Sequence, residues 1–233
     1  MVERLYTEFP ELYDAIQSDY DYDRDLEVLE TVFSARGLDG GHLLEVGCGT
    51  GEHSRRLVDV GYTVTAVDKH EGMVSVARNK CDGTFYVDAL PALTVEGSFD
   101  AVIAIRGVIN HVLPDEFDGA LDAMIERLSD GGVLLFDNSR LPRDGNDLML
   151  DVGATDAGDY ARLAQHVATD EGHLEWRSLF IGADGTFFVN ARPMWPYRDE
   201  RIESALIDRG LAVETRDGFG PGDRRTVFIA EAR

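Results

Sequence analysis

Apolar positions change from helical to strand spacing near residue 40. Up to residue 36 they recur every three or four residues, which predicts helices. The residues concerned are Leu12, Ile16, Leu26, Leu29 and Phe33. The acidic and aromatic stretch DYDYDRD (residues 19–25) predicts a break between two helices. The turn residues GLDG (37–40) end this segment, so residues 1–39 are predicted to form an N-terminal helical lid.

From residue 42 to residue 138, short apolar runs of strand length alternate with helical patterns. The five runs are HLLEVG, YTVTAVD, TFYVDAL, FDAVIAI and GGVLLFDN. Because the runs are apolar almost throughout, both faces of the resulting sheet must be covered. Strands that alternate with helices predict a doubly wound α/β core at residues 40–139.

Residues 140–197 break this alternation. Three stretches there have strand character, DYARLAQHVAT, HLEWRSLFIG and TFFVNARPMW, and the ADG between the last two is a hairpin signal. They predict a small antiparallel sheet inserted after the fifth strand. Residues 198–233 return to the core with one helix and two final strands, LAVETRDGF and RTVFIAEA.

The charge narrows the range of partners. The chain has 44 acidic and 22 basic residues, a net charge of −22, and apart from Lys69 and Lys80 every basic residue is arginine. Repulsion among these acidic side chains would destabilise the folded chain, and salt screens such repulsion. The composition therefore favours a protein adapted to a salt-rich cytoplasm, as in extreme halophiles. The alternative is an acidic protein without such adaptation. We do not expect nucleic acid as a partner, because binding its backbone needs clustered Lys and Arg and the chain has no such stripe. With no long apolar run and no secretion signal, we expect a cytoplasmic protein that does not bind membranes.

The stretch LLEVGCGTGEHSRRL (residues 43–57) places a glycine turn between the first strand and a helix. Such a turn lets backbone N–H groups approach a ligand at the carboxyl end of the sheet. The pattern is Gly47-x-Gly49-x-Gly51, and Glu52 stands where a dinucleotide fingerprint has glycine. A carboxylate there repels a pyrophosphate but tolerates a cation. S-adenosylmethionine is a nucleoside cofactor that carries a net positive charge and no phosphate.

Two further acids follow at strand tips. Asp68 ends the second strand, where a carboxylate accepts hydrogen bonds from a ribose diol. Asp88 lies at the end of the third strand, where we expect it to meet an adenine amino group. Cys48, inside the turn, is expected to be a small space-filling thiol without a disulfide.

At these residues the chain resembles the class I, Rossmann-like S-adenosylmethionine-dependent methyltransferases. The resemblance follows LLEVGCGTGEHSRRL, VTAVDKHEGMVSVAR, FYVDAL, FDAVIAIRGVINHV and LSDGGVLLFDN in order. It implies a seven-stranded, mostly parallel sheet with the last strand antiparallel. It also implies cofactor contacts at Glu45 (methionine amino group), Gly47, Gly49, Gly51, Asp68 (ribose), Asp88, Ala89 and Leu90 (adenine), and at Ile105, Arg106 and Gly107 (beneath the sulfonium).

The rest of the chain resembles small-molecule N-methyltransferases, and in layout the aminosugar N,N-dimethyltransferases. This resemblance implies that N-terminal tyrosines close over the cofactor, namely Tyr13 and one of Tyr20 and Tyr22. It also implies a small-molecule acceptor. The insertion is expected to form the acceptor wall or a homodimer contact, with Trp176, Trp195 and Tyr197 in either place.

Methyl transfer asks the protein for alignment, exclusion of water and sometimes a base. His111, just past the fourth strand, and Tyr13 are the weak candidates for a catalytic group, while His166 and His173 belong to the insertion. No cluster has metal-ligand spacing, so no metal is expected. An amine acceptor is favoured, and O-methyl transfer stays open. A non-catalytic S-adenosylmethionine-binding protein and an NAD-linked oxidoreductase are the alternative functions.

Overall fold

The computed structural model describes residues 3–156 and 158–232. Within these residues the chain divides into two compact units. The core unit combines Asp21–Arg140 with Tyr197–Arg233, and the sheet unit combines Met1–Tyr20 with Leu141–Pro196. None of the described helices is long and apolar enough to cross a membrane.

The described helices are α1 (Arg4–Thr7), α2 (Pro10–Ile16), α3 (Tyr22–Ser34), α4 (Glu52–Asp59), α5 (Glu71–Arg78), α6 (Phe117–Ile125) and α7 (Asp199–Asp208), and a 3₁₀ turn spans Val108–His111. The described strands are β1 (Gly41–Val46), β2 (Tyr62–Asp68), β3 (Thr84–Val87), β4 (Phe99–Ala104), β5 (Leu128–Ser139), β6 (Met149–Thr155), β7 (Gly158–Ala168), β8 (Leu174–Gly182), β9 (Phe187–Met194), β10 (Leu211–Asp217) and β11 (Arg225–Ala232). The break between α2 and α3 covers residues 17–21, so the break predicted in residues 19–25 is confirmed only in part, because residues 22–25 already belong to α3.

Over the described residues, the core unit contains a seven-stranded sheet in the order β10-β11-β5-β4-β1-β2-β3. Strands β1 to β5 pair in parallel, and β11 runs antiparallel to both β5 and β10. The predicted fold class is therefore confirmed. Because β4 and β2 lie on opposite sides of β1, the strand order reverses there, and ligands bind at such a switch point.

The side chains of β1 point alternately to the two faces of the sheet, and both faces are covered. Leu44 and Val46 pack into the core on one face of the sheet, and Leu43 packs into the core on the other. Successive side chains of a strand point to opposite faces, so a strand covered on both sides must be apolar at almost every position. Glu45 shares the face of Leu43 and is the one charged residue buried in this strand, where it accepts a hydrogen bond from Ser54.

The sheet unit holds the inserted antiparallel sheet, in the order β6-β7-β8-β9 over its described residues. The sequence pattern predicted three strands, so that count was wrong by one: β6 was missed. Gly153 of β6 pairs with Tyr160 of β7 inside the ladder. A Cβ at Gly153 would lie 2.6 Å from the Tyr160 hydroxyl, so close approach of the ring requires glycine in this strand.

One face of this sheet packs against the N-terminal helices. The backbone N–H of Leu5 in α1 donates to the Asn190 side chain at 3.2 Å. Phe9 stacks on Phe188 with ring centroids 4.5 Å apart. The helices α1 and α2 and the inserted sheet therefore share one core.

Candidate cofactor site

The glycine turn follows β1 and leads into α4. All three glycines have positive φ, namely 72° at Gly47, 55° at Gly49 and 80° at Gly51. A Cβ at Gly47 would lie 2.6 Å from Val108, and one at Gly51 would lie 2.9 Å from Ala77. A Cβ at Gly49 would meet no described atom within 4 Å. Gly47 and Gly51 are thus fixed by close packing, whereas Gly49 leaves room for a ligand against the backbone.

Asp68 ties the tip of β2 to this turn. Its carboxylate accepts the backbone N–H of Gly49 at 3.0 Å and that of His70 at 2.9 Å. Burial raises the pKa of Asp68, and these two N–H donors oppose the rise. Each carboxylate oxygen has a second lone pair, so Asp68 can still accept from a ligand diol.

Asp88 organises the loop after β3. One oxygen accepts the N–H of Ala89 at 2.9 Å, and the other accepts the N–H groups of Thr94 at 2.7 Å and Val95 at 2.9 Å. Most of its hydrogen-bonding capacity is therefore used within the loop Ala89–Val95. These hydrogen bonds to Asp88 fix the backbone at Ala89 and Leu90, the two residues predicted to frame an adenine.

Glu45 lies buried beneath the turn. It accepts a short hydrogen bond from the Ser54 hydroxyl, and its other oxygen lies 3.9 Å from His53 Nδ1. Burial raises the pKa of Glu45 to about 7; the Ser54 hydrogen bond opposes the rise and the nearby charge of Asp68 adds to it. A cation bound beside Glu45 would favour its ionised form.

Arg106 and Gly107 form a tight turn at the tip of β4. Arg106 has a φ of 69°, which is costly for a residue with a side chain, and Gly107 has a φ of 71°. The buried carboxylate of Asp137 in β5 accepts the N–H of Arg106 at 2.7 Å and also that of Gly107. Asp137 itself is paired with Arg225 at 3.0 Å. This arrangement holds the strained backbone in place.

A buried polar network joins this turn to α3 and α4. Arg225 contacts Asp25 at 3.3 Å as well as Asp137, and Asp25 contacts His53 Nε2 at 3.1 Å. Burial lowers the pKa of His53, and the Asp25 contact opposes that shift. The network therefore runs from Glu45, through His53, Asp25 and Arg225, to the carboxylate of Asp137.

Tyr22 and Tyr13, both predicted near the cofactor, fall in different units. The Tyr22 hydroxyl accepts from Arg106 at 2.8 Å, and its ring lies edge-on to His53 at 5.0 Å. Tyr13 lies in the sheet unit, with its ring centroid 5.9 Å from that of Tyr6. Of Tyr20 and Tyr22, Tyr22 is thus the one that joins the candidate site in the core unit.

The remaining candidates are placed as follows. His111 ends the 3₁₀ turn after Arg106–Gly107, while the buried Asn110 beside it donates to Asn138 at 2.9 Å. His166 contacts Trp176 and His173 contacts Trp195, with centroids 4.4 and 4.7 Å apart, all within the sheet unit. Tyr197 lies in the core unit and donates to the carbonyl of Val112 at 2.7 Å.

The charge of Glu52 is balanced within the core unit. Glu52 contacts Arg56 at 2.5 Å, Lys80 at 2.8 Å and Arg55 at 3.3 Å. Burial acts to raise the pKa of Glu52, but these cations outweigh it and lower the pKa to about 2. These cations partly neutralise the charge of Glu52, so its repulsion of a pyrophosphate is weaker than the sequence suggested. The absence of glycine at position 52 is therefore the stronger argument against a dinucleotide site.

A cavity of about 430 Å³ opens within the sheet unit. Its walls are helix α2, aromatic residues such as Tyr160 and Phe180, and the turns that join β6 to β7 and β8 to β9. The candidate cofactor residues do not line it. In the part of the chain that the structure describes, no group of three or more His, Cys, Asp or Glu is arranged to hold a metal ion.

The residues at the tips of β1, β2 and β4 fit a cationic nucleoside. Gly49 leaves space at the turn, Asp68 offers acceptors for a diol, and Glu45 is a carboxyl group whose ionised form a bound cation would favour. These features match the ribose and the positive charges of S-adenosylmethionine.

Residues 43–132 match the family model described as a methyltransferase domain. Over this range the chain is similar to methyltransferase domains, in the region where its motifs predicted that resemblance. The matched range contains the glycine turn, Asp68, Asp88 and the Arg106–Gly107 turn. Asp137 and Arg225 lie beyond the matched range.

Two relatives and one solved structure place the domain among known proteins. A putative methyltransferase of Geobacillus sp. (strain WCH70) is 31% identical over 139 residues, 57% of this chain and 56% of that protein, so the chain spans little more than half the length of that relative. The dTDP-3-amino-3,6-dideoxy-alpha-D-glucopyranose N,N-dimethyltransferase of Streptomyces fradiae is 26% identical over 226 residues, 93% of this chain and 88% of that enzyme. The crystal structure of an S-adenosylmethionine-dependent methyltransferase from Clostridium acetobutylicum superposes with a TM-score of 0.82 at 21% identity, covering 97% and 98% of the chains, and shows the same fold.

Sequence reasoning missed Asp25, His53, Asp137 and Arg225. One signal was available for Asp137, because a carboxylate at the end of the apolar run GGVLLFDN is unusual in a strand buried on both faces. Asp25 and Arg225 carried no such signal, since each lies in a stretch rich in charged residues.

Proposed function

We propose that this protein transfers a methyl group from S-adenosylmethionine to the nitrogen of a small-molecule amine. The observation that carries the proposal is the coupling of Gly49 to Asp68 within a methyltransferase domain. This arrangement supports a ligand that packs against the backbone of Gly49 and donates hydrogen bonds from a diol to the carboxylate of Asp68.

Within this proposal, each residue of the cofactor site has a role. Asp68 holds the ribose hydroxyls, and Ala89 and Leu90, fixed by Asp88, frame the adenine. Glu45 lies near the methionine amino group, and Ile105 to Gly107 lie beneath the sulfonium. Bound S-adenosylmethionine supplies an electrophilic methyl group on a positively charged sulfur.

An amine acceptor is supported by the relative from Streptomyces fradiae. That enzyme acts on a nucleotide-linked amino sugar, and its similarity spans both units of this chain rather than the cofactor residues alone. We infer an acceptor of the same class, an amine carried on a small polar molecule such as an amino sugar.

Methyl transfer to an amine requires the protein mainly to position the amine and the sulfonium relative to each other. The lone pair of a neutral amine would form a bond to the methyl carbon as the carbon–sulfur bond breaks and S-adenosylhomocysteine leaves, and the product ammonium would then lose a proton. The chain therefore has to exclude water and align the amine in line with the sulfonium. His111 and Tyr13 are the candidates for accepting that proton, directly or through water.

Calorimetric titration in molar KCl tests the cofactor. We expect S-adenosylmethionine and S-adenosylhomocysteine to bind with micromolar affinity and NAD not to bind. Asp68→Ala should weaken binding by roughly tenfold or more, since a hydrogen-bonded charged group contributes about 1.5–3 kcal/mol. Asp82→Ala is the matched control, because it removes an exposed carboxylate outside the site. Binding of NAD alone would refute the proposal.

Release of S-adenosylhomocysteine tests the acceptor. The protein is incubated with S-adenosylmethionine and a panel of amines, nucleotide-linked amino sugars among them, together with hydroxyl analogues. Turnover with amines alone supports N-methyl transfer, and turnover with hydroxyl analogues alone supports O-methyl transfer. Cofactor binding without turnover on any acceptor would favour the non-catalytic alternative.

A further inference from the structure

Three polar residues lie on the face of the inserted sheet that packs against α1 and α2. Side chains of a strand alternate between the two faces, so Asn190 and Arg192 in β9 share the face of the buried Phe188. Arg162 in β7 lies on the same face, because the register sets it opposite Phe180 and sets Phe180 opposite Phe188. We call Arg162, Asn190 and Arg192 the donor cluster. All three belong to the sheet unit.

Each residue of the donor cluster has a buried nitrogen with no hydrogen-bond partner among the described residues. These atoms are Nε of Arg162, Nδ2 of Asn190 and Nε of Arg192. Asn190 is 1% exposed, and its side-chain oxygen accepts the N–H of Leu5, which leaves its Nδ2 as a donor. Buried donors in folded proteins are nearly always hydrogen-bonded. Three of them on one face therefore point to a ligand that accepts hydrogen bonds.

Tyr6 in α1 is the residue around which the two arginines gather. The guanidinium of Arg192 lies over the Tyr6 ring, 4.6 Å from its centroid. Burial raises the pKa of Tyr6 to about 12, and the positive charges of Arg192 and Arg162 both oppose that rise. Burial and then the charge of Arg192 lower the pKa of His166. The charges of both arginines thus act on one buried hydroxyl, so the two guanidinium groups lie on the same side of the covered face.

The two arginines differ in how their charge is balanced. Arg162 contacts the carboxylate of Asp151 in β6 at 2.6 Å. No carboxylate among the described residues lies within 4 Å of Arg192, whose guanidinium packs on the Tyr6 ring instead. That packing covers the face of the guanidinium and leaves the N–H groups at its edge for another acceptor. In a chain with a net charge of −22, an arginine that is turned away from carboxylates indicates an anionic ligand.

We propose that the donor cluster binds a phosphate-type oxyanion, either a free inorganic anion or the phosphate group of a small molecule. Arginine presents its N–H groups in a planar fork that matches the oxygens of a phosphate. Two guanidinium groups and an amide on two different strands offer more donors than the two oxygens of a carboxylate can use. The proposal does not rest on the proposed methyl transfer, because anion binding is measured without the cofactor.

Calorimetric titration of the full chain with pyrophosphate, in molar KCl and without cofactor, tests the site. We expect a dissociation constant of about 1 mM or below, since salt screens buried charge pairs less than exposed ones. Arg192→Gln should weaken binding by roughly tenfold or more, because it removes charge-assisted hydrogen bonds. Arg177→Gln is the matched control. Arg177 is exposed on the opposite face of the same sheet and pairs with Glu175, so its variant should bind as the wild type does.

Asp151→Asn separates binding from folding. The carboxylate of Asp151 competes with an anion for the guanidinium of Arg162. Its neutralisation should therefore strengthen pyrophosphate binding by about threefold or more. A variant that had merely lost structure would bind more weakly, so the expected gain cannot come from misfolding.

A nucleoside diphosphate and acetate complete the series of ligands. Tighter binding of the nucleoside diphosphate than of pyrophosphate identifies a phosphate carried by a small organic molecule, whereas equal or weaker binding identifies a free inorganic anion. The proposal is overturned if neither phosphate compound binds below about 10 mM, or if acetate binds as tightly as pyrophosphate. It is also overturned if Arg192→Gln leaves binding unchanged, if Arg177→Gln weakens it equally, or if Asp151→Asn does not strengthen it.

Discussion

The carboxylate of Asp137 accepts the backbone N–H of Arg106 at 2.7 Å, although the two residues lie 31 positions apart. Arg106 has a left-handed backbone, and Asp137 sits at the buried end of the neighbouring strand. The strained turn beneath the proposed sulfonium position is thus held by a residue outside the turn.

Asp137→Asn should destabilise the protein by about 3 kcal/mol or more, since it removes the charge that pairs with the buried Arg225 and replaces one of the two accepting oxygens by an NH2 group that faces a backbone N–H. Chemical denaturation in molar KCl measures the change. Cofactor affinity should fall as well, because the Arg106–Gly107 turn loses its anchor. Asp130→Asn, which alters an exposed carboxylate, is the control and should change neither quantity.

Gly51→Ala should mainly reduce stability, whereas Gly49→Ala should mainly reduce cofactor binding. Both place a side chain at positive φ, at a cost of about 1–2 kcal/mol. Gly51→Ala also drives its Cβ to 2.9 Å from Ala77, so it should be the more destabilising variant in thermal unfolding. Gly49→Ala meets no described atom within 4 Å, so it should unfold nearer to the wild type while losing cofactor binding in calorimetry. Equal losses of stability in the two variants would contradict this assignment.

Glu45→Gln should remove a pH dependence of stability. The pKa of Glu45 rises from 4.5 to about 7 on burial, so the folded protein favours the protonated form. This carboxyl therefore contributes most stability below pH 4.5, and the contribution is lost as the pH rises through 7. It corresponds to on the order of 3 kcal/mol. The unfolding free energy of Glu45→Gln minus that of the wild type should accordingly increase as the pH rises from about 4.5 to 7, and a difference that does not change with pH would contradict this assignment.

Salt should stabilise the wild type. With a net charge of −22, repulsion within the folded chain is screened as the Debye length falls from about 10 Å at 0.1 M to about 3 Å at 1 M salt. For a chain of this size each kcal/mol gained raises the midpoint by about 2–4 °C. We expect thermal midpoints to rise with KCl and NaCl alike and to level off near molar salt. A midpoint that is flat in KCl would favour the merely acidic protein over the salt-adapted one.

Much of the core unit could be predicted from the sequence because its signals are local. The run HLLEVG and the glycines after it specify a buried strand and a tight turn within ten residues, and Asp68 is placed by the length of the next strand. The sheet unit was harder. β6 was missed; its Gly153 weakens the strand pattern, and only the tertiary structure shows the Tyr160 ring that lies against it.

What the sequence by itself determined is therefore the parallel sheet, the glycine turn and the acids at the strand tips, since each depends on residues close together in the chain. Tertiary structure alone decided the pairing of Arg225 with Asp25, 200 positions away, and the anchoring of Arg106 by Asp137. It also decided that Arg162, Asn190 and Arg192 lie on one face of the inserted sheet. Strand register sets which side chains become neighbours across a sheet, and register depends on the whole ladder rather than on any one strand.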